Sequence, residues 1–140
     1  MSTILVNTLT GTSTAGSIAV TGEGNCTTTN LQQGLTKCWV NFDGESAVAA
    51  ARDSFNVDSM TDNGGNGDYK ITYTNPFSNN DYAFSGGIAA SGNASGWVGG
   101  TTSMADSDFA TDSLEVGTFY QNAGFTNFKY VTVMINGDLA

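Results

Sequence analysis

From Gly34 onward, apolar and polar residues alternate with a period of two, the pattern of strands that bury one face. In Lys37 to Asp43, Cys38, Val40 and Phe42 point one way, while Lys37, Trp39 and Asn41 point the other. The face opposite the core still carries a tryptophan, so Trp39 wants a second covering layer: a partner sheet or subunit, or else a ligand. Residues Glu45 to Arg52 break the pattern, because three consecutive alanines favour a helix. After the loop from Asp62 to Asp68, Tyr69, Ile71 and Tyr73 alternate again, which predicts a hairpin. Pro76 ends that strand. Tyr82, Phe84 and Ile88 begin another, with Gly86-Gly87 as a bulge or a point of close approach. Residues 91 to 112 are the least regular, with Trp97-Val98 as one strand between long loops. Leu114, Val116, Thr118 and Tyr120 alternate once more. The last strand, Phe128 to Asn136, is apolar on both faces from Tyr130 to Ile135, which places it centrally in a sheet or at an interface and packs the C-terminus.

About eight strands at hairpin spacing predict an all-β fold, an antiparallel β-sandwich or jelly-roll-like domain over residues 34–140. No repeat supports a β-helix. Residues 1–33 differ in kind. Their apolar positions are Ile4-Leu5-Val6 with Leu9, and Ile18-Ala19-Val20, too few for an independent core. The segment reads as an extended N-terminal arm, two short strands joined across Gly11 to Gly16, that docks on neighbouring subunits; the bland alternative is a disordered leader. Ile4, Leu5, Val6, Leu9, Ile18, Val20 and Trp39 are the candidate assembly contacts.

Composition sharpens this. Among 140 residues there are 19 Thr, 18 Gly, 14 Asn and 13 Ser, types suited to turns and, for Thr, to strands. Charged residues are only 12%, about half the usual share, so hydroxyls and amides cover the surface, as in extracellular and virion β-proteins. The net charge of −9 repels phosphate backbones and argues against nucleic-acid binding. No apolar run approaches the roughly 20 residues of a membrane span, and MSTILVNTLTG lacks the basic start of a secretion signal, so a soluble protein made in a cytoplasm is expected. Cys26 and Cys38 are either two free thiols or one late-formed disulfide.

Histidine is absent, which removes the usual general base, the Ser-His-Asp triad and His-ligated metals. Carboxylate-pair chemistry remains, but the acids sit mainly in turns, where capping explains them. The loop DNGGNGD echoes the start of a calcium loop, yet the twelfth position, where a bidentate glutamate belongs, is Tyr73. Asp106, Asp108 and Asp112 form a similarly weak cluster. No enzyme activity, cofactor or metal is expected.

Three runs carry a resemblance: Trp39-Val40-Asn41-Phe42-Asp43-Gly44, Ala51-Arg52-Asp53-Ser54-Phe55-Asn56-Val57, and Thr61-Asp62-Asn63-Gly64 followed by Gly67-Asp68-Tyr69. With the ending Gly137-Asp138-Leu139-Ala140 and the leader MSTILVNTLTG, they resemble a module of small structural and tail-fibre-like proteins of tailed bacteriophages. Cys38 and Gly64-Gly65 depart from that pattern. The resemblance reads Glu45–Arg52 as leading into a strand on which Phe55 and Val57 face the core. It implies a non-enzymatic virion surface protein, made in the bacterial host cytoplasm and partnered by other capsid or tail subunits. As a trimeric tail fibre, spike or head fibre, it would present the 91–112 loops, with Trp97, Asp106, Asp108 and Phe109, to a host surface glycan or protein. As a capsid decoration (cement) protein, it would clamp adjacent capsid subunits with its arm. A small carbohydrate-binding module is the reading outside that family.

Overall fold

The computed structural model describes residues 4–11, 18–21, 28–46, 49–90, 99–102, 108–121 and 124–140. The chain forms two compact units, Met1–Leu35 and Thr36–Ala140. The second is an all-β sandwich of two antiparallel sheets packed against each other.

In the first unit, β1 (Ala19–Thr21) pairs antiparallel with β2 (Thr28–Asn30), and one helical turn, α1 (Leu31–Gly34), follows. The Leu31 amide donates to the Ile18 carbonyl at 2.8 Å and closes this small ribbon. Residues 4–11 form no strand, so the expectation of two arm strands joined across Gly11 to Gly16 is corrected. Val20 finds its partner in Thr29 instead, where strand-favouring threonines are available. The turn at 12–16 and Cys26 lie outside the described residues.

In the second unit, one sheet has the order β4 (Ala50–Phe55), β3 (Cys38–Asp43), β11 (Tyr130–Asn136), β7 (Ala83–Ala89). The other runs β10 (Gly124–Phe125), β9 (Ser113–Tyr120), β6 (Asp68–Tyr73), β5 (Val57–Asp62), with β8 (Gly99–Thr102) on the opposite edge of β9. The period-two pattern does what it predicts. Cys38, Val40 and Phe42 from β3, Tyr69, Ile71 and Tyr73 from β6, Leu114 and Val116 from β9, and Val131, Val133 and Ile135 from β11 fill one core. β11 is central in its sheet, which explains its apolar inner face. The C-terminus is tied down: Leu139 bridges Phe77, and the Ala140 amide donates to Pro76 O at 3.0 Å.

The alanine-rich stretch from Ala50 is strand, against its helical propensity. That strand stops at Phe55. Asn56 has a φ of 61°, and this left-handed residue turns the chain from one sheet into the other. Its side-chain oxygen accepts from the Asn75 amide at 2.8 Å, its amide nitrogen donates to Asn75 O at 3.0 Å, and the corner is latched. Phe55 and Val57 therefore do not share a face. Val57 packs on the core, whereas Phe55 points outward and is 52% exposed, a correction to the single-strand reading.

Gly86 is a point of close approach, with no register shift along β7. A Cβ there would lie 2.5 Å from Thr101 Oγ1 of β8 and 2.6 Å from Thr132 O, so only glycine lets the two sheets meet at this seam. In the β5–β6 hairpin, Asp62 Oδ1 accepts from the Gly64 amide at 2.9 Å, and Asp68 Oδ1 accepts from Asn63 Nδ2 at 3.0 Å. Both acids build the turn.

Candidate assembly surface

The outer face of the β4–β3–β11–β7 sheet is set by register. Trp39 stands opposite Phe55 on one side and opposite Met134 on the other. Directly opposed residues of antiparallel strands share a face with Cβ atoms about 5 Å apart, so Phe55, Trp39 and Met134 make one apolar row across three strands. Phe55 is 52% and Met134 47% exposed, and Trp39 is half-buried. Fully covering one such side chain is worth about 1.5–3 kcal/mol. The neighbouring row, Asp53, Asn41, Thr132 and Gly87, is polar or bare.

Beyond it lies the only arginine of the chain. The pairing of β3 with β4 shifts register between Asn41 and Phe42, which leaves Arg52 as the extra residue of a bulge. Without that extra residue, alternation from Asp53 would turn Arg52 toward the core; the bulge re-aims it outward. Its guanidinium donates to Asp43 Oδ2, to Phe42 O and to Lys129 O, each at 2.7 Å, and stacks 4.4 Å over the Tyr130 ring. Lys129 Nζ meets the same Asp43 oxygen at 2.6 Å. Hydrogen bonding from Lys129, helped by the Glu45 backbone amide and the two cations, holds the Asp43 carboxyl below its usual range. The same bond raises the Lys129 ammonium.

The other two basic residues are also engaged. Lys70 lies 3.7 Å from Glu115 across β6 and β9. Lys37 is buried, and desolvation lowers its ammonium below the ordinary lysine range while Asp138 acts in the opposite sense. No basic side chain is left over to form a cationic patch, and the surface balance stays acidic.

In the first unit, Ile4 is 84%, Leu5 89%, and Val6 and Leu9 each 60% exposed. Val20 is exposed and Ile18 half-buried. The expected assembly contacts thus fall into two groups: one on residues 4–20, the other at Trp39 on the sheet face.

The expected receptor-facing residues fare differently. Trp97 and Asp106 lie outside the described residues. Asp108 is buried, and Phe109 packs on Tyr82 and Phe84 with ring centroids 5.4 and 5.8 Å away. Neither is presented outward, a correction with a simple cause: Phe109 bridges to Leu114 at the start of β9 and is drawn into the aromatic end of the core. Phe119 and Phe125, opposed on β9 and β10, are the exposed aromatic pair on the other sheet. Alternation through Leu114, Val116, Thr118 and Tyr120 already implied that Phe119 faces out. For Phe55, the signal missed was Asn56.

Among the described residues no three His, Cys, Asp or Glu side chains converge as a metal site, and no helix is long and apolar enough to cross a membrane. Cys38 is a free thiol, buried in the core and pushed up to about 12 by desolvation. Its sulfur is poorly placed for thiolate chemistry. Comparisons of the chain with protein-family models, curated proteins and solved structures give no match.

Proposed function

We propose that this chain is a non-enzymatic surface component of a tailed-bacteriophage virion, an oligomer held to its neighbours by the N-terminal arm. The observation that carries the reading is the arm itself: four large apolar side chains within six residues, each at least 60% exposed. A solitary chain gains nothing from that arrangement, whereas a neighbouring subunit that covers it does. The apolar row on the sheet face, the paucity of charge and the residue pattern around WVNFDG and RDSFNV support the same reading. In this role the body is a passive, rigid block, and its acids serve turns and ion pairs.

Within that class, a tail-fibre, spike or head-fibre component, trimeric and facing the host surface, is the principal reading. A capsid decoration protein is the second, and one observation favours it: Asp108 and Phe109 turn inward rather than toward a receptor.

Gold-labelled antibody against the full chain, applied to intact particles, tests the proposal. Label on tails identifies a fibre or spike, label distributed over heads identifies decoration, and particles that carry none of the protein overturn the reading. Native mass spectrometry of the purified chain tests the oligomer.

A further inference from the structure

We infer that the row Phe55, Trp39 and Met134 is the docking surface for residues Ile4–Leu9 of a second copy of this chain, so that copies are linked by exchanged arms. The inference rests on the reading above, which has the arm dock, and adds what it docks on. Three observations lead to it.

First, among the described residues, and apart from the exposed pair Phe119 and Phe125, two apolar surfaces stand out: the arm segment at 60–89% exposure and the row with Phe55 and Met134 near half. Second, the arm is long enough. From β4 across β3 to β11 is two strand spacings, about 10 Å, and six extended residues, about 20 Å, reach across it and beyond. In an extended segment Ile4 and Val6 project to one side and Leu5 and Leu9 to the other, so either side offers two apolar chains to the row. Third, charge selects the occupant. Residues 36–140 hold twelve acidic against four basic residues, so two bodies repel each other. No charged side chain precedes Glu23, and the arm approaches an acidic body without that penalty. Beyond the row's polar neighbours, Arg52 and Lys129 both meet Asp43, Glu45 acts on Lys129, and Asp53 lies opposite Asn41. Two cations among three carboxylates leave that side of the row less acidic than the body as a whole.

Leu5 replaced by the photoreactive p-benzoylphenylalanine, in the full chain, tests this. Mixing nitrogen-15-labelled and unlabelled copies before irradiation separates links between chains from links within one. The expected result is isotope-mixed peptides joining residue 5 to the segments that contain Phe55, Trp39 or Met134. Met134→Glu, checked for an unchanged fold by circular dichroism, is expected to lower that yield about tenfold or more, because a carboxylate on the row must be desolvated. Links confined to one chain overturn the inference. Links from residue 5 only to other surfaces, or only to another protein of the particle, also overturn it but leave arm docking intact. If deleting residues 1–11 changes neither native mass nor incorporation into particles, the docking reading itself fails.

Discussion

The Tyr69 hydroxyl lies 2.8 Å from the Gly44 carbonyl oxygen and so ties β6 of one sheet to the turn that follows β3 of the other. It is also 2.9 Å from Asn127 Oδ1, which accepts from the Gly67 amide as well. Gly67, at a φ of 66°, is packed so closely under Thr118 O that a side chain there would collide. The Gly44 amide in turn donates to Phe128 O at 2.9 Å. One end of the sandwich is therefore closed by a buried polar network rather than by apolar packing alone.

Tyr69→Phe should destabilise the body by about 1–3 kcal/mol, since it removes the buried donor nearest Gly44 O, while Asn127 Oδ1 keeps the Gly67 amide. Tyr73→Phe should behave oppositely. The Tyr73 hydroxyl is buried beside the Tyr82 hydroxyl with no well-formed hydrogen bond among the described residues, so its removal should be neutral or stabilising by about 1 kcal/mol. Urea denaturation of the two variants decides this; equal losses would refute the assignment.

Gly86→Ala should cost about 1–3 kcal/mol, because the new methyl meets Thr101 Oγ1 and Thr132 O, one of them backbone that cannot yield cheaply. Gly87→Ala, on the outward face with only Thr132 Oγ1 at 3.3 Å, should cost less. Melting temperatures of the pair are the measurement.

Alkali should unfold the body. Burial pushes Tyr69 and Cys38 up to about 12 and raises Tyr73 and Tyr82 as well. For groups whose folded values are raised, the stabilisation is complete below the unfolded values, 9.0 for cysteine and 10.0 for tyrosine, and is lost as pH rises through the folded ones. Stability followed by circular dichroism should fall from about pH 9 upward, with tyrosinate absorbance of these residues emerging only as the fold is lost.

Acid should act on a different part. The Asp43 carboxyl is depressed mainly by its bond to Lys129, so its contribution is present above the unfolded value of 3.8 and disappears as pH falls through the lower folded value. Arg52→Met should lower the urea midpoint at neutral pH, and the difference from the parent chain should shrink below about pH 4. A penalty independent of pH would mean that Arg52 acts through Phe42 O, Lys129 O and Tyr130 alone.

How much of this was written in the chain follows from what alternation can encode. Strict period two over Cys38–Phe42, Tyr69–Tyr73 and Leu114–Tyr120, in a chain rich in Thr, Gly, Asn and Ser, suffices to determine strands, their buried faces and an all-β body, because a side chain's face depends only on its neighbours along the strand. Trp39 on the wrong face was legible for the same reason. What lies beside Trp39 was not. That Phe55 and Met134 flank it depends on pairing between segments far apart in sequence, on a left-handed Asn56 that ends one strand and starts another in the opposite sheet, and on a bulge that swings Arg52 outward. Likewise the fate of Phe109 was decided by its nearness to Tyr82, Phe84 and Leu114. Sequence fixes which side of a strand is greasy; only the register between strands, set by the closing of the whole core, decides which greasy side chains become neighbours and which are left facing water.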